Sequence, residues 1–372
     1  MDLLQNVVTI VLFFLILGTL VVVHELGHFV TARLANVRVL EFGIGFPPRA
    51  KVIRSSGETL YTLNWLPIGG FVKLEGEDGD DTDDPRSFVN ARLPVRLVIL
   101  LAGVAMNLLL ALAIFLLIAM LATPLYGLRF PQVEPGSPAD RAGLEGGDSI
   151  ISINGTAYDM FGRYVNQVDP ITDLRAHAGE TITLGVHRKD GRFEELTVTL
   201  RPRSEVTETR GPLGVGPSST EPVLIDYYGR YTGHDPATSA RIAVEETGAW
   251  FGLIIEGLSN VVRSFVTNPT APPSGVTGPI GIAQQIGQAF WSFGPIITLY
   301  VAGILSANLA LVNALPFPPL DGGRMLMIVL KSIFGRRISV QAERVTYFVG
   351  FVFLMAFLVW VTWFDIIRGG AT

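Results

Sequence analysis

The sequence predicts a polytopic α-helical membrane protein. It has about four transmembrane helices, a β-rich loop between the first two and an α+β domain inserted between the second and third. Three observations predict it. Of 372 residues, 49% are hydrophobic and 16% charged, with a mean hydropathy of +0.43; a typical soluble domain carries about 25% charged residues. Four runs, 3–23, 97–128, 296–315 and 345–364, are apolar and nearly free of charge. Each supplies roughly the 20 apolar residues that cross a hydrocarbon core. Basic residues, finally, gather in two of the connections. The net charge of −5 points to no nucleic-acid partner, and the absence of cysteine excludes a disulfide framework and thiolate metal ligands.

The first run is expected to be a retained span rather than a cleaved leader. Asp2 stands where a basic residue is usual, no Ala-x-Ala-like site follows, and a charged motif begins where cleavage would fall. The connection 36–95 holds Arg33, Arg38, Arg49, Lys51 and Arg54 in or beside it, and the last connection holds Lys331, Arg336, Arg337 and Arg344. Both are expected on the cytoplasmic side, which puts the long insert outside. Within 36–95, segments 41–46, 59–65 and 69–74 read as short strands with Gly and Pro punctuation. The acidic run 75–84 lacks the offsets of a calcium loop and reads as solvated. The second span is expected over 96–124.

Residues 125–203 read as a small soluble domain. Ser137-Pro138 opens a short helix, Asn154-Gly155 ends a strand in a tight turn, and Lys189-Asp190-Gly191 joins two alternating strands. Residues 204–290 read as a Gly, Pro and Thr-rich linker followed by an amphipathic helix capped by Asp235-Pro236. That helix is expected on the outer membrane surface or against the inserted domain. The third span with its sequel occupies 291–323, a loop 324–344, and the fourth span 345–367.

The chemistry concentrates in His24-Glu25-Leu26-Gly27-His28, at the end of the first uncharged run. Two histidines four residues apart share one helix face and can bind one Zn²⁺, and the glutamate between them is placed to act as general base on water. Such groups inside a membrane helix are costly and usually functional. Catalytic zinc takes three protein ligands. His177, His187 and His234 fall in the external region, so the best third ligand is Asp321, directly after the third span. Pro316, Pro318 and Pro319 forbid a regular helix there, and non-helical backbone at membrane depth is tolerated where it lines a cavity.

These residues together resemble the site-2 proteases, the M50-type intramembrane zinc metalloproteases. The shared features are the HExxH motif in a first span, Gly278-Pro279-Ile280-Gly281-Ile282, and Asn313, Pro316, Pro318, Leu320, Asp321 and Gly322 in order. The bacterial regulator of sigma-E protease is the nearest type, and the insert resembles a PDZ domain. The resemblance implies zinc held by His24, His28 and Asp321, with Glu25 as catalytic base. It also implies cleavage of transmembrane segments of single-pass proteins, such as anti-sigma factors or remnant signal peptides, in a bacterial plasma membrane. Asn313 would donate to the substrate backbone or the developing oxyanion, or else cap the helix break. Asn308, a turn away, fits substrate contact or an interhelical hydrogen bond. Gly69, Gly70 and Phe71 would form an edge strand that pairs with an unwound substrate, or a hairpin that only packs. The PDZ-like domain would capture peptide C-termini or filter substrates by size. Two other classes remain beside this one: a membrane-anchored PDZ scaffold with a vestigial metal site, and a metal transporter. The retained Glu25 disfavours the first, and the clustering of candidate ligands at one end disfavours the second.

Overall fold

The computed structural model describes residues 3–77, 83–217, 222–267, 277–335 and 339–369. The centre of the acidic run, 78–82, and Arg336 and Arg337 lie outside the described residues. In chain order the first elements are α1 (Leu3–Leu34), β1 (Val39–Ser56), β2 (Thr59–Leu74), α2 (Leu93–Leu121), β3 (Thr123–Arg129), β4 (Gln132–Val133) and α3 (Pro138–Arg141). The insert continues with β5 (Ser149–Ile153), β6 (Thr156–Asp159), α4 (Pro170–Ala176), β7 (Thr181–His187), β8 (Phe193–Thr199), β9 (Val215–Gly216) and β10 (Leu224–Thr232). Five helices follow: α5 (Pro236–Thr267), α6 (Pro279–Gln288), α7 (Pro295–Asn313), α8 (Asp321–Phe334) and α9 (Val340–Gly369). Four helices among the described residues are long and apolar enough to cross a membrane: α1, α2, α7 and Gln341–Ile367 of α9. Their outer faces stay apolar, as lipid-facing helices require: Leu15, Leu109 and Val359 are more than half exposed.

The chain divides into two compact units, one of Met1–Ile114, Glu246–Ser292 and Thr298–Thr372, the other of Phe115–Glu245 with Phe293–Ile297. In the first, β1 and β2 are longer than the three short strands expected, because each bends and pairs twice. Residues 39–46 lie between 60–66 and 70–74, and 49–56 pair with the other edge of 59–64. The result is a four-stranded sheet in the order 49–56, 59–66, 39–46, 70–74, with 70–74 as one outer strand. It packs on α1 and α2 through Ala32, Val37, Val39, Leu74, Phe88 and Ile99, all buried. Removing a side chain the size of Val or Leu from water at such a site is worth about 1.5–3 kcal/mol. Where a connecting loop was expected over 324–344, helix α8 runs from Asp321 to Phe334. Its first turn is tied to the segment just after β2 by an Arg324–Glu77 ion pair. The Gly278–Ile282 motif opens α6, whose N-terminal Gly278 and Gly281 N–H groups donate to the buried Asp365 carboxylate of α9 at 3.2 and 3.0 Å. That carboxylate satisfies donors a helix start otherwise leaves unpaired.

The second unit is a six-stranded sheet of order β10-β3-β6-β5-β7-β8 with α3 and α4 beside it. Ser137 caps α3 by accepting the Asp140 N–H, and Asn154 and Gly155 both take positive φ in the β5–β6 turn. Ile150, Ile153, Leu184, Val186 and Phe130 fill its core at 1% exposure or less. Residues 126–130 fall almost wholly in β3, whose edges pair with β10 on one side and with β5 and β6 on the other. Its backbone donors are engaged in the sheet. The supposed linker supplies β10, held by Asp226: Arg129 donates to its Oδ1 at 2.8 Å, and Ser149 Oγ and His187 Nδ1 donate to its Oδ2 at 2.7 and 3.0 Å.

Burial alone would raise the Asp226 carboxyl; the Ser149 and His187 hydrogen bonds and the Arg129 charge outweigh it and hold it below the usual carboxylate range. A lowered carboxylate pKa adds stability that is complete above the unfolded value, near 4, and is lost as pH falls through the folded value. Asp226→Asn should cost about 1–3 kcal/mol at neutral pH. It should also flatten the acid limb of the unfolding-temperature profile below about pH 4. An acid limb identical to that of the wild type would contradict this role.

Candidate metal centre

A helix places residues four apart on one face, one turn above the other. In α1 this brings His24 and His28 together, both under 10% exposed, with their Nε2 atoms 3.1 Å apart. Asp321, the first residue of α8, reaches them across the proline-broken turn after α7: its Oδ2 lies 2.9 Å from His24 Nε2 and 3.3 Å from His28 Nε2. This oxygen is buried and has no well-aligned hydrogen-bond donor. A buried carboxylate oxygen facing two imidazole nitrogens without an aligned donor is costly unless a cation sits there. Tetrahedral zinc with bonds of about 2.0–2.1 Å sets its ligand atoms about 3.3 Å apart. The observed separations match that spacing within a few tenths of an ångström. These residues fit zinc.

The ring of His28 is held in the required form. Its Nδ1–H donates to the Ile99 carbonyl of α2 at 2.8 Å, which leaves the Nε2 lone pair facing Asp321. Glu25 points to the neighbouring space, where its Oε2 accepts the Val72 N–H at 3.0 Å. That space is a cavity of about 250 Å³ lined by Glu25, His28, Gly70, Phe71, Asp321 and Arg324 among others. Glu25, His28 and Asp321 therefore border one volume large enough to hold water.

Of the residues singled out in the sequence, the structure brings His24, Glu25, His28, Asp321, Gly70 and Phe71 to this place. Gly69 lies just beyond, where a Cβ would meet Val21 and Phe46 at 3.1 Å. Asn308 and Asn313, half-buried on α7, do not line the cavity. Sequence reasoning missed the contribution of α2. Ile99, Gly103 and Asn107 recur every four residues and form one stripe against the two histidines. A Cβ at Gly103 would stand 2.5 Å from His28 Nε2 and 2.8 Å from His24 Cε1, so only glycine admits both rings. Asn107 Nδ2 lies 3.4 Å from His24 Nδ1. A signal existed: Gly103 is the only glycine, and Asn107 the only amide, between Leu97 and Leu121.

Comparison with known proteins agrees with this centre. Peptidase family M50 matches residues 12–357. A Clostridium perfringens protein provisionally named a zinc metalloprotease is 33% identical over 358 residues, covering 94% of this chain and 96% of its own. A Clostridium acetobutylicum protein of the same provisional name is 31% identical, covering 96% and 97%. Zinc metalloprotease RasP of Geobacillus kaustophilus is 27% identical over 441 residues, covering 97% and 98%. The chain belongs to peptidase family M50, the site-2 protease family. It is an integral membrane zinc metalloendopeptidase, and its cofactor is Zn²⁺.

Gly103→Ala drives a methyl group into both imidazoles. Zinc affinity, measured by competition with a chromophoric chelator, should fall roughly tenfold or more. An unchanged affinity would show that α2 does not confine the rings.

Proposed function

We propose that the protein cleaves transmembrane segments of single-pass membrane proteins, of the anti-sigma-factor or remnant-signal-peptide kind, and so releases a cytoplasmic fragment. The observation that carries this reading is the position of residues 70–74. They form an outer strand of the four-stranded sheet, no strand pairs with their other edge among the described residues, and they border the cavity lined by Glu25 and Asp321. A membrane helix hides its peptide bonds in its own hydrogen bonds, so it must unwind before hydrolysis. An open strand edge offers an unwound segment replacement main-chain partners. An extended peptide added there would lie beside the metal centre.

In this reading His24, His28 and Asp321 hold the zinc. When bound, zinc supplies Lewis-acid polarisation and makes water acidic enough to deprotonate near neutral pH. Glu25 takes the proton of the attacking water and returns it to the leaving amine. Its Oε2 is anchored by the Val72 N–H, which fixes the carboxylate and leaves Oε1 for the water. Asn313 would donate to the substrate backbone or oxyanion as the bent segment reaches the end of α7; Asn308, five residues earlier, would contact substrate or make an interhelical hydrogen bond. The membrane is a bacterial plasma membrane, since the relatives compared are bacterial. Arg33, Arg38, Lys331 and Arg344 beside the spans favour a cytoplasmic position for the centre and an outer one for the six-stranded, PDZ-like unit, where it meets peptide C-termini or excludes bulky substrates.

Glu25→Gln separates binding from turnover. In proteoliposomes the variant should keep stoichiometric zinc and lose roughly 10²-fold or more of its cleavage of a single-pass substrate. Wild-type turnover by the variant would remove Glu25 from the base role. Cleavage confined to soluble peptides in the wild type would overturn the substrate class.

A further inference from the structure

We infer that Asn107 is a positioning residue for His24, and that its side-chain amide selects the ring form that binds zinc. The inference rests on His24 being a zinc ligand. Asn107 lies in the middle of α2, fully buried, in a run with no other amide. Its side chain meets His24 Nδ1 at 3.4 Å through Nδ2, while its Oδ1 is buried without a partner. Its backbone carbonyl accepts the buried Ser306 hydroxyl of α7 at 2.7 Å, which fixes this turn of α2 in place.

The two ends of an amide are nearly identical in shape and opposite in hydrogen-bonding character. With Nδ2 toward the ring, Nδ1 is the acceptor and the ring proton sits on Nε2, 3.1 Å from the His28 Nε2 lone pair. That arrangement satisfies the ring without metal. A half-turn of the amide brings Oδ1 to the ring. It then accepts Nδ1–H, gains the partner it lacks and leaves the Nε2 lone pair free for zinc. His28 has only the second form available, because the Ile99 carbonyl can only accept. The two ligands are therefore supported differently: one by a fixed acceptor, the other by a group that serves both the empty and the loaded centre. Metal-binding imidazoles commonly donate their second N–H to such a partner, and losing it costs roughly ten- to hundredfold in affinity.

Two variants of similar size give opposite expectations. Asn107→Leu fills the space but accepts no hydrogen bond; Asn107→Asp can only accept. If Asn107 merely packs, the apolar variant should hold zinc like the wild type and the buried carboxylate should damage the centre. The inference predicts the reverse order in the purified full chain. Asn107→Leu should lose roughly ten- to hundredfold in zinc affinity by chelator competition. Asn107→Asp should match or exceed the wild type, and its unfolding temperature should fall only in the zinc-free protein. Wild-type affinity in Asn107→Leu, or losses of the same size in both variants, would overturn the inference while leaving the ligand set intact. Unchanged affinity in His24→Ala would overturn the ligand reading itself, and this inference with it.

Discussion

Everything in the membrane-spanning unit answers to the meeting of one carboxylate oxygen with two imidazole nitrogens. His24 and His28 are neighbours because a helix makes them so. Asp321 is nearly three hundred positions further along the chain, and nothing local brings it there. The three groups stand within 3.3 Å of one another below the protein surface. Without a cation that arrangement strands a buried carboxylate oxygen without an aligned donor. The free energy that tolerates it comes from elsewhere: from the packing of the four-stranded sheet on α1 and α2, and from the start of α8, tied to the segment after β2 by the Arg324–Glu77 ion pair. With the proposed ligand set, metal binding would convert a costly cluster into a satisfied one and couple the centre to the fold around it.

The helix α2 gives that object its back wall. Its stripe of Ile99, Gly103 and Asn107 supplies an acceptor, an absence of side chain and an amide, each opposite a histidine ring. The strand at 70–74 gives the other wall and anchors Glu25 through the Val72 N–H. Glu25 is thus held by the same outer strand that borders the cavity. In the proposed function this joins recognition of an extended chain to the position of the base.

Much of this was legible in the sequence, for reasons specific to particular residues. His24, Glu25 and His28 stand out because helical spacing and an uncharged surrounding run are both local facts. Asp321 was within reach because three prolines mark the place where the span must break. The Asn154-Gly155 and Lys189–Gly191 turns betray their hairpins, since few residues adopt the backbone such turns demand. Other features depend on contacts distant in sequence. Strand β10 lies in a segment that reads as linker, and it becomes a strand by pairing with β3 nearly a hundred residues earlier. The part of α8 beyond Gly323 read as a loop, because Gly322 and Gly323 weaken the helical signal at its start. The Ile99 carbonyl leaves no trace in a side-chain alphabet, although Gly103 and Asn107 do.

The central claim is that a single ion joins α1 to the start of α8. The most direct test is zinc X-ray absorption on purified wild-type protein and on Asp321→Ala, with zinc content measured in parallel. The account predicts a first coordination shell of two imidazoles and a carboxylate oxygen in the wild type. In the variant, that oxygen shell should be lost or replaced by solvent and the zinc held more weakly. A shell that stays the same in both proteins, with equal zinc retention, would contradict it.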